Sequence, residues 1–348
     1  MFELFLTICL QDQPDICADR LIPVAAETKA ICEQTAPNEV DLWRAAYDIA
    51  PVINWQCAEG GSVSGLPVTE VADGIFVHQG RYETPSPSNA GDLANIGFVI
   101  GEDAVAVIDA GGSRLVGERL YAAIRERTDL PIDWLILTHM HPDHVLGAGV
   151  FHDAGAKIVG HPKLADALQN RRRTYSDNIA GLIGARSFLG SRILTPDLDA
   201  EEVREIDLGG RRLVLNAHRT AHTDNDMTAF DTMTGTLFTG DLVFAVHTPA
   251  LDGSILGWLS VLQDLSGFQA DRIVPGHGPV SLPWPDGGEG TWNYLATLTE
   301  ETRRAIAEGE SMRTAIEHLG ESMRDHWELF DEYNPRNATA AYKELEWE

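Results

Sequence analysis

The stretch Thr138-His139-Met140-His141-Pro142-Asp143-His144 constrains this chain more than any other. It follows the apolar run Trp134-Leu135-Ile136-Leu137, which reads as a buried strand. Pro142 cannot continue a strand ladder and biases His141 to extended backbone, so the polar residues fall on a loop. Three imidazoles and a carboxylate on so short a loop are too many neighbours to converge on one tetrahedral ion. They suit two cations held close together.

Three further donors stand at strand-to-loop junctions. His222 lies in Ala221-His222-Thr223-Asp224-Asn225-Asp226, after a strand at 212–216. Asp241 closes Leu237-Phe238-Thr239-Gly240-Asp241, where Gly240 permits a tight turn. His277 sits in Val274-Pro275-Gly276-His277-Gly278-Pro279, a strand ending in a glycine-flanked turn. Asp109, at the end of the strand 104–109, and Thr138 are placed to orient ligands from behind. Asp224 and Asn225 suit turn hydrogen bonds.

Around these donors, short apolar strands at 74–78, 96–100, 104–109, 156–160, 205–208, 212–216, 227–231, 235–238 and 272–274 alternate with helical stretches. The helices are expected near 114–127, with Ser113 as N-cap, over 162–189, over 256–268, and over most of 291–346, with Pro335 separating the last one. Strands followed by helices, twice over, predict two sheets packed face to face with helices outside. Three regions are expected: a small cysteine-containing domain over 1–60, a catalytic domain over 61–290 and a helical extension over 291–348. The Gly/Ser-rich run Glu59–Gly65 marks the first boundary.

All four cysteines, Cys9, Cys17, Cys32 and Cys57, fall in that first region, which predicts two disulfides and an oxidising compartment. Residues 2–10 and 52–57 read as strands. A helix over 23–48 between them carries Ile31, Val40, Trp43, Ala46, Tyr47 and Ile49. As a strand–helix–parallel strand unit, this favours Cys9–Cys57 with Cys17–Cys32, one of three possible pairings. Residues 1–10 carry Glu3, have no basic region and precede no cleavage site, so a secretion leader is expected to have been removed ahead of Phe2. The net charge of −27 repels nucleic acid and anionic lipid, and no apolar run approaches bilayer-spanning length. Small-molecule chemistry is left.

The seven donors, in their order and with their flanking glycines, resemble the metallo-β-lactamase superfamily across roughly residues 66–283. The resemblance implies an αββα sandwich with a small disulfide-linked N-terminal α+β domain and a helical C-terminal tail. It implies one metal on His139, His141 and His222, a second on Asp143, His144 and His277, and Asp241 bridging them. Two Zn are the expected cofactors, with iron or mixed metal compatible with the ligand types. The implied chemistry is attack of a metal-bridging hydroxide on an ester, thioester or lactone-like carbonyl, with Asp143 also handling protons. Where β-lactamases commonly carry cysteine or serine, this chain has Asp241, so antibiotic hydrolysis is not the expected role.

The front domain and the tail Asn337–Glu348 further resemble the quinoprotein relay system zinc metallohydrolases. That likeness implies a periplasmic setting linked to pyrroloquinoline-quinone-dependent alcohol oxidation, with a quinoprotein dehydrogenase as partner. A mononuclear iron oxygenase of the same fold and a non-enzymatic accessory binding protein are the alternative readings. His247 is the expected substrate-side residue. His152, His161, His218, His318 and His326 read as packing or surface residues, and the run Arg171-Arg172-Arg173 as a solvated helix face. Tyr82, Tyr175 and Trp258 are candidates for a pocket lining.

Overall fold

The computed structural model describes residues 1–47, 50–201 and 203–348. Two large sheets lie face to face. The first has the strand order Leu198–Asp199, Lys157–Gly160, Ile132–Ile136, Val105–Ile108, Ile96–Ile100, Ile75–His78, Thr69–Ala72. Its pairs from Thr69 to Ile108 are antiparallel hairpins and the rest are parallel. The second has the order Glu205–Asp207, Arg212–Ala217, Met227–Asp231, Thr236–Phe244, Arg272–His277, Leu282–Pro283.

Between the sheets, Val77, Val99, Ala106, Ile108 and Ile136 of the first meet Leu213, Leu215, Ala229, Phe238 and Val274 of the second. The central strands are buried on both faces. Val107 and Leu135 therefore pack outward against Leu120 and Ile124 of the helix Arg114–Arg125 and against Phe151. Ser113 caps that helix, its Oγ accepting from Val116 N at 3.3 Å. On the outer face of the second sheet, Leu237 and Ile273 share a core with the helices Ile255–Ser266, Glu289–Ala307 and Phe330–Leu345. This is the expected αββα sandwich. Pro335 does not separate the last helix but lies inside it. It falls in the second turn, where it forgoes the one bond its missing N–H would have made to the Asp331 carbonyl.

The small N-terminal domain departs from expectation in one decisive way. Cys17–Ala26 is a strand, antiparallel to Phe2–Cys9, and the sheet order is Cys17–Ala26, Phe2–Cys9, Val52–Glu59. Pro23 sits on this edge strand, where a missing donor is tolerated. The helix begins only at Lys29, capped by Thr28, and runs to Ala46; Ile49 lies outside the described residues. The extra strand returns the chain to its starting end, so Val52–Glu59 runs antiparallel to Phe2–Cys9. The disulfides are accordingly Cys9–Cys17 and Cys32–Cys57, not the expected pairing. Cys9 and Cys17 are direct cross-strand partners, and Cys32–Cys57 ties the helix to the third strand.

Buried polar contacts join this domain to the sandwich. Arg114, fully buried, donates to Leu21 O at 2.8 Å and ion-pairs Glu118 and Asp153. Arg20 donates to Leu189 O and Arg186 O. Glu3 accepts the Tyr121 hydroxyl at 2.7 Å and the N–H groups of Val24 and Ala25. Glu3 is thus an internal tie.

Candidate metal centre

All seven donors converge at one edge of the sandwich. His139, His141, Asp143 and His144 come from the loop after Ile132–Ile136 and the short helix Pro142–Val145 in the first half. His222 follows Arg212–Ala217, and Asp241 and His277 lie on Thr236–Phe244 and Arg272–His277 of the second half. Asp241 does not close its strand, which continues to Phe244.

The donor atoms fall into two groups, each within 4.8 Å: His139, His141, His222 and Asp241, then Asp143, His144 and His277. Asp241 reaches both. Its Oδ2 lies 3.6 Å from His139 Nε2 and 3.5 Å from the Nε2 atoms of His222 and His277, and its Oδ1 lies 3.2 Å from His144 Nε2. Asp143 Oδ2 is 3.3 Å from His277 Nε2.

The outer hydrogen bonds decide which nitrogens face inward. His144 Nδ1–H donates to Asp109 Oδ2 at 2.7 Å. Thr138 donates its N–H and hydroxyl to the same Asp109 carboxylate, both at 2.8 Å, so its oxygen is left to accept His139 Nδ1–H at 3.0 Å. His222 Nδ1–H donates to Ala250 O at 2.5 Å, and His141 Nε2–H to Asp252 Oδ2 at 3.2 Å. Each ring thereby turns its other nitrogen toward the centre, where it can ligate once it carries no proton. His222 Nε2 and His141 Nδ1 are then two lone pairs facing each other at 3.0 Å. His139 Nε2, His144 Nε2 and Asp241 Oδ1 are buried without a hydrogen-bond partner. Such an arrangement is costly alone and is resolved by cations between the atoms. The nitrogen and oxygen donors suit zinc, and iron shares the preference.

Protonation follows the same geometry. Burial drives His139 and His222 down, His222 to about 3, so both are neutral. Burial also opposes charge on His144 and His277. Asp241, with Asp109 and Asp143, overcomes it at His144, and Asp241 with Asp143 lifts His277 to about 9. Burial alone would raise Asp143 and Asp241, but His144 and His277 hold both well below the usual carboxylate range. In the metal-free chain, protons on His144 and His277 stand where a second cation would.

Glycine permits this crowding. Gly240 has φ of +50° and lies against Thr138, and a Cβ at Gly276 would strike Asp241 Oδ1.

Of the supporting residues expected from the sequence, Asp109 bonds to His144 and Thr138 to His139. Asn225, fully buried, donates to Asp224 Oδ1 at 2.7 Å and to Thr223 Oγ1 from its backbone, so it shapes the turn rather than touching a ligand. Asp226, not anticipated, bonds Thr223 N and Oγ1 and completes that turn. His247 is 2 % exposed and lines the cavity over the donors. Its Nδ1–H is committed to Thr248 O at 2.6 Å, and burial, with His277 beside it, lowers its pKa to about 4.

That cavity, about 730 Å³, includes Asp143, Asp241 and His277 among its lining residues. Tyr175 lines one wall, whereas Tyr82 is not among the lining residues and Trp258 is buried behind His222, ring centroids 5.1 Å apart. His161 and His218 bond to backbone and to Thr228, and His318 to Glu310 at the surface. Arg172 and Arg173 are exposed. Sequence reasoning missed Asp252 and the contribution of the last helix, Tyr333, Arg336 and Asn337. Asn337 Nδ2 donates to Pro249 O at 2.6 Å and its Oδ1 accepts Leu251 N–H at 2.9 Å.

Comparison with known proteins agrees with the geometry. A family model of the metallo-beta-lactamase superfamily matches residues 90–277, more than half of the chain. Among solved structures, a metallo-beta-lactamase from Pontibacter korlensis is similar at TM-score 0.54 and 20% identity, covering 66% of this chain and 99% of its own. The DIM-1 metallo-beta-lactamase is similar at 0.51 and 18%, covering 68% and 98%. TMB-1 is similar at 0.50 and 18%, covering 67% and 98%. At such identities the likeness is one of fold. No match to a curated protein was found.

Proposed function

From the premise that this chain belongs to the metallo-beta-lactamase superfamily, we propose that it is a dinuclear zinc-dependent hydrolase acting on an ester, thioester or lactone-like carbonyl. The observation that carries the proposal is the inward lone-pair face of four imidazoles, each fixed by an acceptor on its outer nitrogen, around a carboxylate that reaches both groups. His139, His141 and His222 would hold one ion, Asp143, His144 and His277 the other, and Asp241 both. Bound there, the pair supplies a water of lowered pKa and polarises the substrate carbonyl.

The chain's own groups do the rest. Asp143, less buried than Asp241 and lining the cavity, would pass a proton between the centre and the cavity. Asp109 keeps His144 in the tautomer that ligates. His247 closes the cavity floor beside His277, ring centroids 4.7 Å apart, and meets the substrate. No serine or cysteine nucleophile is required.

The setting we propose is periplasmic, serving a quinoprotein dehydrogenase. Two disulfides fit an oxidising compartment, and no helix among the described residues is long and apolar enough to cross a membrane.

The test is elemental analysis combined with hydrolysis of generic esters and thioesters. Expected are about two zinc per chain, with activity lost to chelator and in the double variant His139→Ala/His141→Ala. Protein that binds no metal, activity indifferent to that double variant, or one iron per chain with oxygen uptake would overturn the reading.

A further inference from the structure

The cavity above the donors has two unlike walls. One is apolar: Ile179 and Leu182 of the helix Leu164–Ile183, with Leu93 and Pro85. The other is the first two turns of Phe330–Leu345, which present Tyr333 and Arg336, three residues apart and so on one face. The Tyr333 ring packs on His247, centroids 4.6 Å apart, and its hydroxyl has no hydrogen-bond partner among the described residues. Burial and the charges of Asp143 and Asp241 raise its pKa, so it is a neutral donor. Arg336, exposed at the cavity rim, likewise has neither ion pair nor hydrogen bond among the described residues, in a chain with 53 acidic and 26 basic residues. The carboxylates at this cavity are otherwise engaged or peripheral. Asp143 and Asp241 belong to the donor set, Asp252 accepts from His141, and Glu332 is exposed at the rim.

We propose that Tyr333 and Arg336 form an anchor for a carboxylate, so that the substrate is an acyl compound with an apolar segment and an anionic end. A guanidinium fork and a phenol hydroxyl one helical turn apart on the same cavity can together meet the two oxygens of a carboxylate. The apolar wall receives the segment between that end and the scissile carbonyl. Two cations at the floor, against two ligand carboxylates, add to the attraction for an anion. This inference rests on the hydrolase reading for its reaction and on the cavity wall for its specificity.

The test uses the zinc-loaded chain and three matched substrates, with the enzyme-free rate of each subtracted: the phenyl monoester of glutaric acid, phenyl pentanoate and phenyl 5-(trimethylammonio)pentanoate, whose quaternary nitrogen cannot cyclise. The expected kcat/KM for the carboxylate-bearing ester exceeds that for the neutral one by on the order of tenfold, with the ammonium ester lowest. Arg336→Ala brings the ratio toward one, and Arg336→Lys keeps part of it. Calorimetric titration of glutarate against pentanoate gives a second reading that needs no turnover, with glutarate expected to bind tighter only while Arg336 is present. Equal kcat/KM for the charged and neutral esters, a preference for the ammonium ester, or a ratio unchanged by Arg336→Ala overturns the anchor. If none of the esters turns over, the hydrolase reading fails, and the two acids still decide the anchor.

Discussion

Asn337 and His222 are joined through a single residue of backbone. The Asn337 amide grips Pro249 O and Leu251 N–H, and the carbonyl of Ala250 between them accepts His222 Nδ1–H. A residue of the last helix thus sets the orientation of a candidate ligand from the middle of the second half. Replacing it with alanine leaves a buried carbonyl, a buried N–H and the Tyr294 hydroxyl short of a partner. Asn337→Ala is expected to cost about 2–4 kcal/mol in chemical denaturation. It is also expected to weaken zinc binding on the order of tenfold in a chelator competition.

Gly276 offers a sharper test of Asp241. A methyl group there collides with the Asp241 carboxylate and with the Gly240 backbone, neither of which can yield without moving a donor. Gly276→Ala is expected to abolish tight binding of both metal ions while the fold, judged by circular dichroism, persists. Retention of two zinc would show that Asp241 does not serve both groups.

Proton release should accompany metal binding. His277 is held protonated up to about 9 by Asp241 and Asp143, against the opposing effect of burial, and it must lose that proton to ligate. Below that pKa the proton competes with the metal, and above it the competition ends. Zinc affinity is therefore expected to rise by about tenfold per pH unit for each proton released between pH 7 and 9. Calorimetry at pH 7 in buffers of different ionisation enthalpy should show the release directly. Binding heats independent of buffer would contradict it.

The Cys32–Cys57 bridge closes a segment of sequence separation 25 and fixes the helix Lys29–Ala46 to the third strand. Removing it by Cys32→Ala/Cys57→Ala is expected to destabilise the chain by about 3 kcal/mol. Arg20 and Tyr47 of the same domain donate to backbone carbonyls at Leu189 and Gly190, so the loss should extend to the sandwich. Differential scanning calorimetry should show one lowered transition rather than a separate early one.

Most of the seven donors were legible because they follow an apolar strand at a glycine- or proline-bearing turn, a local signal; His222 lies in a turn with neither, and Asp241, beside Gly240, lies within a strand that runs on to Phe244. Ser113 as a cap and the paired sheets were legible for the same reason. The strand Cys17–Ala26 was not, because Pro23 and Arg20 break its alternation and its partner is chosen by the register with Phe2–Cys9. Missing it reversed the direction of Val52–Glu59 and so the cysteine pairing. Tyr333, Arg336 and Asn337 had no sequence signal. Their roles come from a helix packing back over a loop 86 to 88 residues earlier.

The division of donors between the two halves of the sandwich has a mechanical meaning. Four come from the loop on one layer and three from the other, so ions seated between them would act as rivets through the seam. Pulling the layers apart would require breaking coordination bonds as well as exposing apolar surface. A loaded chain should therefore rupture as a single unit under force, whereas an empty one can part along the seam once the pairs His144–Asp241 and His277–Asp143 are broken.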